Sequence, residues 1–375
     1  MTHSVQPRER LVSLDVLRGL AVMGMILVNS MAGMFYGPKA QVFPLLLHAH
    51  WQGLTIADLV FPAFLTMVGV SIPIALTARN PEPRLDAVQA RRIGVRTLRL
   101  VLLGFLLSNL YWFVDFESGA WRLFGVLQRI GFVYGACAIL FLACGPKVRL
   151  ALIVALLVLY WPLALIPSPD GLATDILQRG HNFVAWADRA LLGAGDHIYV
   201  KGPEGYDPEG LLGTLPAIAQ GLIGVAAGEY LLRRRGAGAA GMLALAGAAM
   251  LALGLLWSIW FPIIKDIWSS SFVLVTSGIT LLALAGLHLW LDRPSRRLAW
   301  PLLVPYAFGI NAIAAYVLHQ LTGETVGWDL FLAPFHATRG TLGDAVAAFL
   351  PVLLYMAVIW AVMEWLRRKR WIVKI

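Results

Sequence analysis

Two imidazoles and a carboxylate open a segment otherwise apolar enough to enter a bilayer. In LLLHAHWQGLTIADLVFPAFLTMVGV, His48 and His50 stand beside Trp51 and Gln52, and Asp58 follows ten residues after His48. A carboxylate that reaches an imidazole orients the ring and stabilises its protonated form, the pairing of a general base. At the first turn of a helix, Asp58 is equally a carboxylate favoured by the helix dipole; both readings stand. His48 and His50 are too close in sequence to share a helix face. With Asp58 as the one further ligand type nearby, no metal site is expected. Trp51 suits an interfacial belt or a sugar-stacking platform, and Gly53 and Pro62 suit a tight re-entry into the membrane.

Other polar residues interrupt apolar runs, where a charge at the bilayer centre costs roughly 2.5–3.5 kcal/mol on insertion scales. Asp15 and Arg18 in SLDVLRGL share a helix face, either as an interfacial ion pair behind a Ser13 cap or with Arg18 holding an anionic ligand. Asn29 closes the same run and reads as helix–helix glue. Arg129 lies seven residues past Arg122, about 10 Å deep at 1.5 Å per residue. It therefore needs a carboxylate, carbonyls or a polar ligand, and Gln128 stands beside it. Asn311 and His319, two turns apart, read as buried hydrogen-bonding residues. Cys137 and Cys144 share one apolar run and read as core packing.

The elements that position these groups are helices. The chain has 375 residues, 59% hydrophobic and 14% charged, against roughly 25% charged in soluble domains, and its mean hydropathy is +0.73. Runs of bilayer length recur throughout, which predicts an all-α polytopic membrane protein with a single domain over 1–375. About ten spans are expected: 14–36, 57–78, 94–114, 122–144, 149–167, 209–232, 238–261, 268–290, 298–320 and 342–366. The net charge of +9 sits in alternate short linkers, so it points to topology and not to nucleic acid. One linker set holds Arg8 and Arg10, Arg79 to Arg99, Lys147 and Arg149, Arg233 to Arg235, Arg293 to Arg297, and Arg367 to Arg370. The other holds Lys39, Arg122, Arg179, Arg189, Lys201, Lys265 and Arg339 among Asp and Glu. The positive-inside rule puts the first set and both termini in the cytoplasm and HAHWQG on the outer face. The polar N-terminus has no h-region or cleavage site, so the first apolar run is expected to be retained. The outer linker 168–208, mixed aromatic, charged and glycine-rich, suits a cap over a site. The apolar perimeter would accept lipid and also a second copy as a homodimer.

The runs RLVSLDVLRGLAVMGMILVNS and HAHWQGLTIADLVFPAFL resemble the transmembrane acyltransferases that include heparan-α-glucosaminide N-acetyltransferase and the bacterial proteins called NagX. The likeness continues through GVLQRIGFVY, YDPEGLLGTLPAIAQGLIGVAAGEYL, FPIIKDIWSSSFVLVTSG and PYAFGINAIAAYV, in order along most of the chain. It implies transfer of an acetyl group from cytosolic acetyl-CoA to an amino sugar or sugar-containing acceptor across the membrane, in a bacterial inner membrane. It implies His48, rather than His50, as the catalytic histidine, with Asp58 and Asn29 in the active site. In that frame Arg18, Arg91, Arg92 and Arg96 are candidates for the nucleotide phosphates, and Gln128 and Arg129 line the path of the pantetheine arm. Trp51, Asp207 and Glu209 are candidates for the acceptor; as a helix N-terminal turn the last two have an equally simple reading. Against the resembled animal enzyme, the segment between Asn29 and His48 is longer, and no large outer domain is expected before the first helix. The alternative reading is a proton-coupled amino-sugar permease with His48 and Asp58 as relay; a purely structural subunit leaves the polar cluster without a reason.

Overall fold

A computed structural model describes residues 11–373 apart from 79, 81–82, 112–116, 118, 235, 293–297 and 326–330. Arg8, Arg10, Arg79, Arg235, Arg293, Arg296 and Arg297 of the predicted basic linkers lie outside the described residues. The described chain is helical, with two isolated bridges, Gln52–Ile264 and Val200–Tyr206, in place of a sheet. In order, the helices are α1 (Val12–Tyr36), α2 (Ile56–Leu76), α3 (Ala87–Ser108), α4 (Val126–Ala143), α5 (Pro146–Ala164), α6 (Phe183–Leu192) and α7 (Thr214–Arg233). There follow α8 (Ala237–Trp257), α9 (Ser270–Leu291), α10 (Trp300–Ile310), α11 (Ala312–Thr325), α12 (Ala333–Leu342), α13 (Asp344–Ala347) and α14 (Phe349–Arg368).

Among the described residues eight helices are long and apolar enough to cross a membrane, and the bent pair α10–α11 makes a ninth if it is one span. The protein is polytopic and all-α. The further span expected over 94–114 is α3, whose Arg91, Arg92, Arg96 and Arg99 lower its apolarity. It starts earlier than predicted because the Asp86 side chain caps it by accepting from the Gln89 amide at 2.7 Å. The span expected over 298–320 breaks at Asn311 with a bend of 79°. Asn311 donates from Nδ2 to the Trp371 carbonyl at 3.1 Å and accepts from the Val373 amide at 3.0 Å. A capping partner from the C-terminal segment thus replaces helix continuity.

Small residues set the packing, as where helices associate without water to drive them. α7 lies against α2, α4, α5 and α9; a Cβ on Gly69 would stand 2.0 Å from the Gly221 carbonyl oxygen, and one on Gly224 2.1 Å from that of Thr66. α1 meets α10 as closely through Gly19 and Gly309.

The bundle has two distinct ends. At one, Ser13 on α1 hydrogen-bonds Asp292 after α9, and Asn311 binds the C-terminal segment. Ser13 is therefore a tie to α9 and not the expected N-cap, which is Leu11. This basic end gathers the start of α1 and the end of α14. At the other end the 37–55, 119–125, 165–213 and 258–269 segments meet one another. It carries His48.

Candidate active site

After α1 the chain leaves the bundle, makes a short 3₁₀ turn at Pro44–Leu46 and returns through Gly53 at φ +116°, a value that favours glycine. The Gly53 amide donates to the Ile263 carbonyl at 2.9 Å, which fixes this turn against the 258–269 loop. Asp58, the third residue of α2, is fully buried, and its two oxygens do different work. Oδ2 accepts from the Thr55 amide (3.0 Å), the Thr55 hydroxyl (2.9 Å) and the Ala49 amide (3.1 Å), closing the helix N-terminus. Oδ1 stands 2.7 Å from His48 Nδ1. Both sequence readings of Asp58 therefore hold at once. With the proton on Nδ1, His48 donates to Asp58 and its Nε2 keeps a free lone pair. The His48 side chain is 47% exposed while Asp58 is 0% exposed, so an oriented ring stands at an open face. His50 is exposed and is not among the partners of Asp58.

Lys265, which sequence reasoning listed only as an outer linker charge, places Nζ 3.8 Å from the same Asp58 Oδ1. Its position comes from a tight loop in which the Trp268 amide donates to the Lys265 carbonyl at 2.8 Å. Trp268 takes φ +55°, rare for a bulky residue, and is held there by Nε1 donating to Gln220 Oε1 at 3.0 Å and by Phe61 and Phe272. A lysine within an apolar run, FPIIKDIW, was the available signal; its partner lies far away in sequence.

Asn29 lies near the His48 end of α1. Val28, Leu47 and Ala57, the neighbours of Asn29, His48 and Asp58, pack in one apolar cluster, which sets the three backbones side by side. The side-chain contact of Asn29 is with His319: Nδ2 is 3.4 Å from His319 Nε2. His319 Nδ1 is 2.9 Å from the Tyr355 hydroxyl, which also lies 2.6 Å from Thr322 Oγ1. Since the Asn29 amide can only donate from Nδ2, His319 accepts there and carries its proton on Nδ1. His319 is thus the buried hydrogen-bonding residue expected.

Arg129 and Gln128, on the first turn of α4, are each 1% exposed. Arg129 donates from Nη2 to the Gly210 carbonyl at 3.0 Å and lies over the Trp268 ring at 4.9 Å. Gln128 donates from Nε2 to the Leu123 carbonyl at 3.2 Å. Arg129 Nε and Nη1 and Gln128 Oε1 are buried without a protein partner. Two donors and an acceptor left unmade in adjacent buried residues are costly.

Arg122 pairs with both oxygens of Asp207, at 2.8 and 2.6 Å, and also binds Glu209. Burial opposes its charge, but these carboxylates hold the guanidinium above its usual range. Behind them Asp188, on α6, accepts from the Asp207 and Leu211 amides at 3.1 and 3.0 Å; burial pushes its carboxyl up to about 7. Asp207 and Glu209 therefore face Arg122 instead of open solvent. Trp51 is 6% exposed, edge-on to Tyr206 at 5.6 Å with Nε1 donating to the Ile176 carbonyl at 3.0 Å. It is a buried post under the 165–213 segment, exposed neither as an interfacial belt residue nor as an open platform. That segment does lie over the His48 turn.

The remaining predicted residues are elsewhere. Arg18 is at the basic end, paired with Asp15 at 3.0 Å and donating to Ser71 Oγ at 2.8 Å. Arg92 and Arg96 lie on the open face of α3, Arg96 over the Tyr134 ring at 4.4 Å.

The family model described as heparan-alpha-glucosaminide N-acetyltransferase, catalytic, matches residues 10–254. The human heparan-alpha-glucosaminide N-acetyltransferase is 29% identical over 364 residues, covering 83% of this chain and 53% of that protein. The mouse protein of the same name is 28% identical with the same coverage. The chain spans about half the length of these curated relatives.

Proposed function

Because the chain belongs to the heparan-alpha-glucosaminide N-acetyltransferase catalytic family, we propose that it is a membrane acyltransferase. It moves an acetyl group from cytosolic acetyl-CoA to the amino group of a sugar, or of a sugar-containing acceptor, at the His48 end of the bundle. The observation that carries this reading is the 2.7 Å contact from His48 Nδ1 to a fully buried Asp58 whose second oxygen is already committed to the helix N-terminus.

In the direct scheme His48 Nε2 removes the proton as the amine attacks the thioester carbonyl; the C–S bond breaks and the imidazolium returns its proton to the leaving thiolate. In the alternative scheme Nε2 itself takes the acetyl group and passes it on. Both need the ring orientation that Asp58 sets. One Asn29 N–H is held by His319, leaving the other to donate to the developing oxyanion, a role worth roughly 3–4 kcal/mol where it has been measured. Lys265 balances the Asp58 charge. Arg129 Nε and Nη1 donate to the pantetheine carbonyls, and Gln128 Oε1 accepts from a pantetheine amide N–H. Arg18, inside the basic end against α2, is assigned to the nucleotide phosphates. Arg92 and Arg96 face outward on α3 and are left out of this assignment. On the acceptor side, Asp207 and Glu209 act with Arg122, and Trp51 supports the segment that closes over the sugar.

The test is sided. In proteoliposomes with labelled acetyl-CoA on one face and glucosamine on the other, the account expects labelled N-acetylglucosamine only on the glucosamine side. Glucosamine crossing without acetylation would replace this reading with a permease.

A further inference from the structure

Helix α3 carries four arginines, Arg91, Arg92, Arg96 and Arg99, and no acidic residue from Ala87 to Ser108. Its main packing partner is α4. On its open side the four arginines, with Ala87, Val88 and Val95, line a groove of about 600 Å³. None of the four forms an ion pair among the described residues, and Val88, Val95, Leu98 and Leu102 beside them are 40–57% exposed.

Depth makes this face unusual. Thr97 packs on Gly131 and Gly135, which lie in the first half of α4 and at its middle, and Gly104 packs on Gln128 near its His48 end. Arg96 and Arg99 therefore start near mid-bundle. Arg99 lies about 12 Å along the axis from Arg91. Guanidinium groups at that depth without an ion-pair partner among the described residues are expensive in hydrocarbon. Helical side chains lean toward the helix N-terminus, and the N-terminus of α3 faces the basic end, so all four lean toward the leaflet on that side.

We propose that the open face of α3 is a binding surface for anionic phospholipid, its arginines gripping headgroup phosphates drawn inward along the groove while the flanking valines and leucines take the acyl chains. Guanidinium forks match phosphate oxygens, and leaflets rich in anionic lipid attract basic residues close to the membrane. The apolar flanks separate this occupant from a soluble nucleotide, which would leave them uncovered. A second copy docked about a two-fold axis would set the same four positive charges against themselves.

The test uses the purified full chain in nanodiscs of mixed phosphatidylglycerol and phosphatidylcholine, with retained lipid read by native mass spectrometry. Arg91→Gln/Arg92→Gln/Arg96→Gln/Arg99→Gln together should lose phosphatidylglycerol retention on the order of several hundredfold, since each basic residue near the surface contributes about a factor of five and the four multiply. Removing four charges elsewhere at the basic end, as Arg233→Gln/Arg234→Gln/Lys369→Gln/Arg370→Gln, should leave it nearly intact. Should the fourfold α3 variant aggregate, Arg99→Gln alone carries the test and should still weaken retention. Equal retention in variant and wild type, or equal loss in both fourfold variants, overturns the proposal. So does a loss of labelled acetyl-CoA binding, or of dimer mass, with phosphatidylglycerol kept.

Discussion

Replacing Asp58 by Asn removes one charge and leaves the shape of the side chain. In the reaction His48 becomes an imidazolium 2.7 Å from that carboxylate. Unit charges at this separation attract by about 6 kcal/mol in an effective dielectric of about 20. The His48 side chain is 47% exposed, so water screens much of this and about 2–3 kcal/mol remains. That difference predicts a kcat lower by roughly 30–150-fold, with the KM for acetyl-CoA little changed. Asp58 Oδ2 also accepts three hydrogen bonds from Ala49 and Thr55. An amide can keep that oxygen as acceptor only by turning its NH₂ toward His48 Nδ1, which reverses the ring tautomer. The assay is initial-rate transfer of labelled acetyl groups by purified Asp58→Asn, normalised to the folded fraction by size-exclusion chromatography and circular dichroism. A folded Asp58→Asn enzyme with wild-type kcat would refute the orienting role.

Two further outcomes concern Lys265, beside this pair, and Asp188, behind the Arg122 cluster. Lys265→Met should lower kcat about tenfold by removing the cation 3.8 Å from Asp58, while Lys265→Arg recovers most of it; equal rates in Lys265→Met and wild type would remove Lys265 from the site. Asp188 has an ordinary value of 3.8 and is pushed up to about 7 by burial when folded. The folded protein thus holds that proton more tightly, and the stability this adds is full below about 4 and lost as pH rises through about 7. Thermal unfolding midpoints should fall between pH 5 and pH 8, and Asp188→Asn should flatten that fall; an unchanged slope in the variant would contradict the buried neutral carboxyl.

The legible parts of the site were those fixed by local spacing. Asp58 follows His48 by ten residues and opens a helix, so a turn and an N-terminal carboxylate bring the two together. Arg129 was legible because helix rise alone places it too deep to reach water. Asn29 was visible as a polar residue in an apolar run, but its partner His319 comes from the far end of the chain and no periodicity joins them. Lys265 and Trp268 depend on a loop whose shape is set by contacts to the 37–55 turn and to Gln220. The all-α architecture followed from apolar runs and charge alternation. The break at Asn311 did not, because its cause is a capping partner sixty residues on. Trp51 read equally as a belt residue or a platform because exposure depends on the 165–213 segment above it. In each of these cases the deciding contact crosses between elements.

The most direct test of the central claim is acetyl transfer from labelled acetyl-CoA to glucosamine by the purified wild type, His48→Ala and His50→Ala, side by side. The account predicts transfer by the wild type, most of it kept by His50→Ala and none above background by His48→Ala. Equal loss in the two variants would contradict the assignment of the chemistry to His48, and transfer surviving in His48→Ala would contradict it outright.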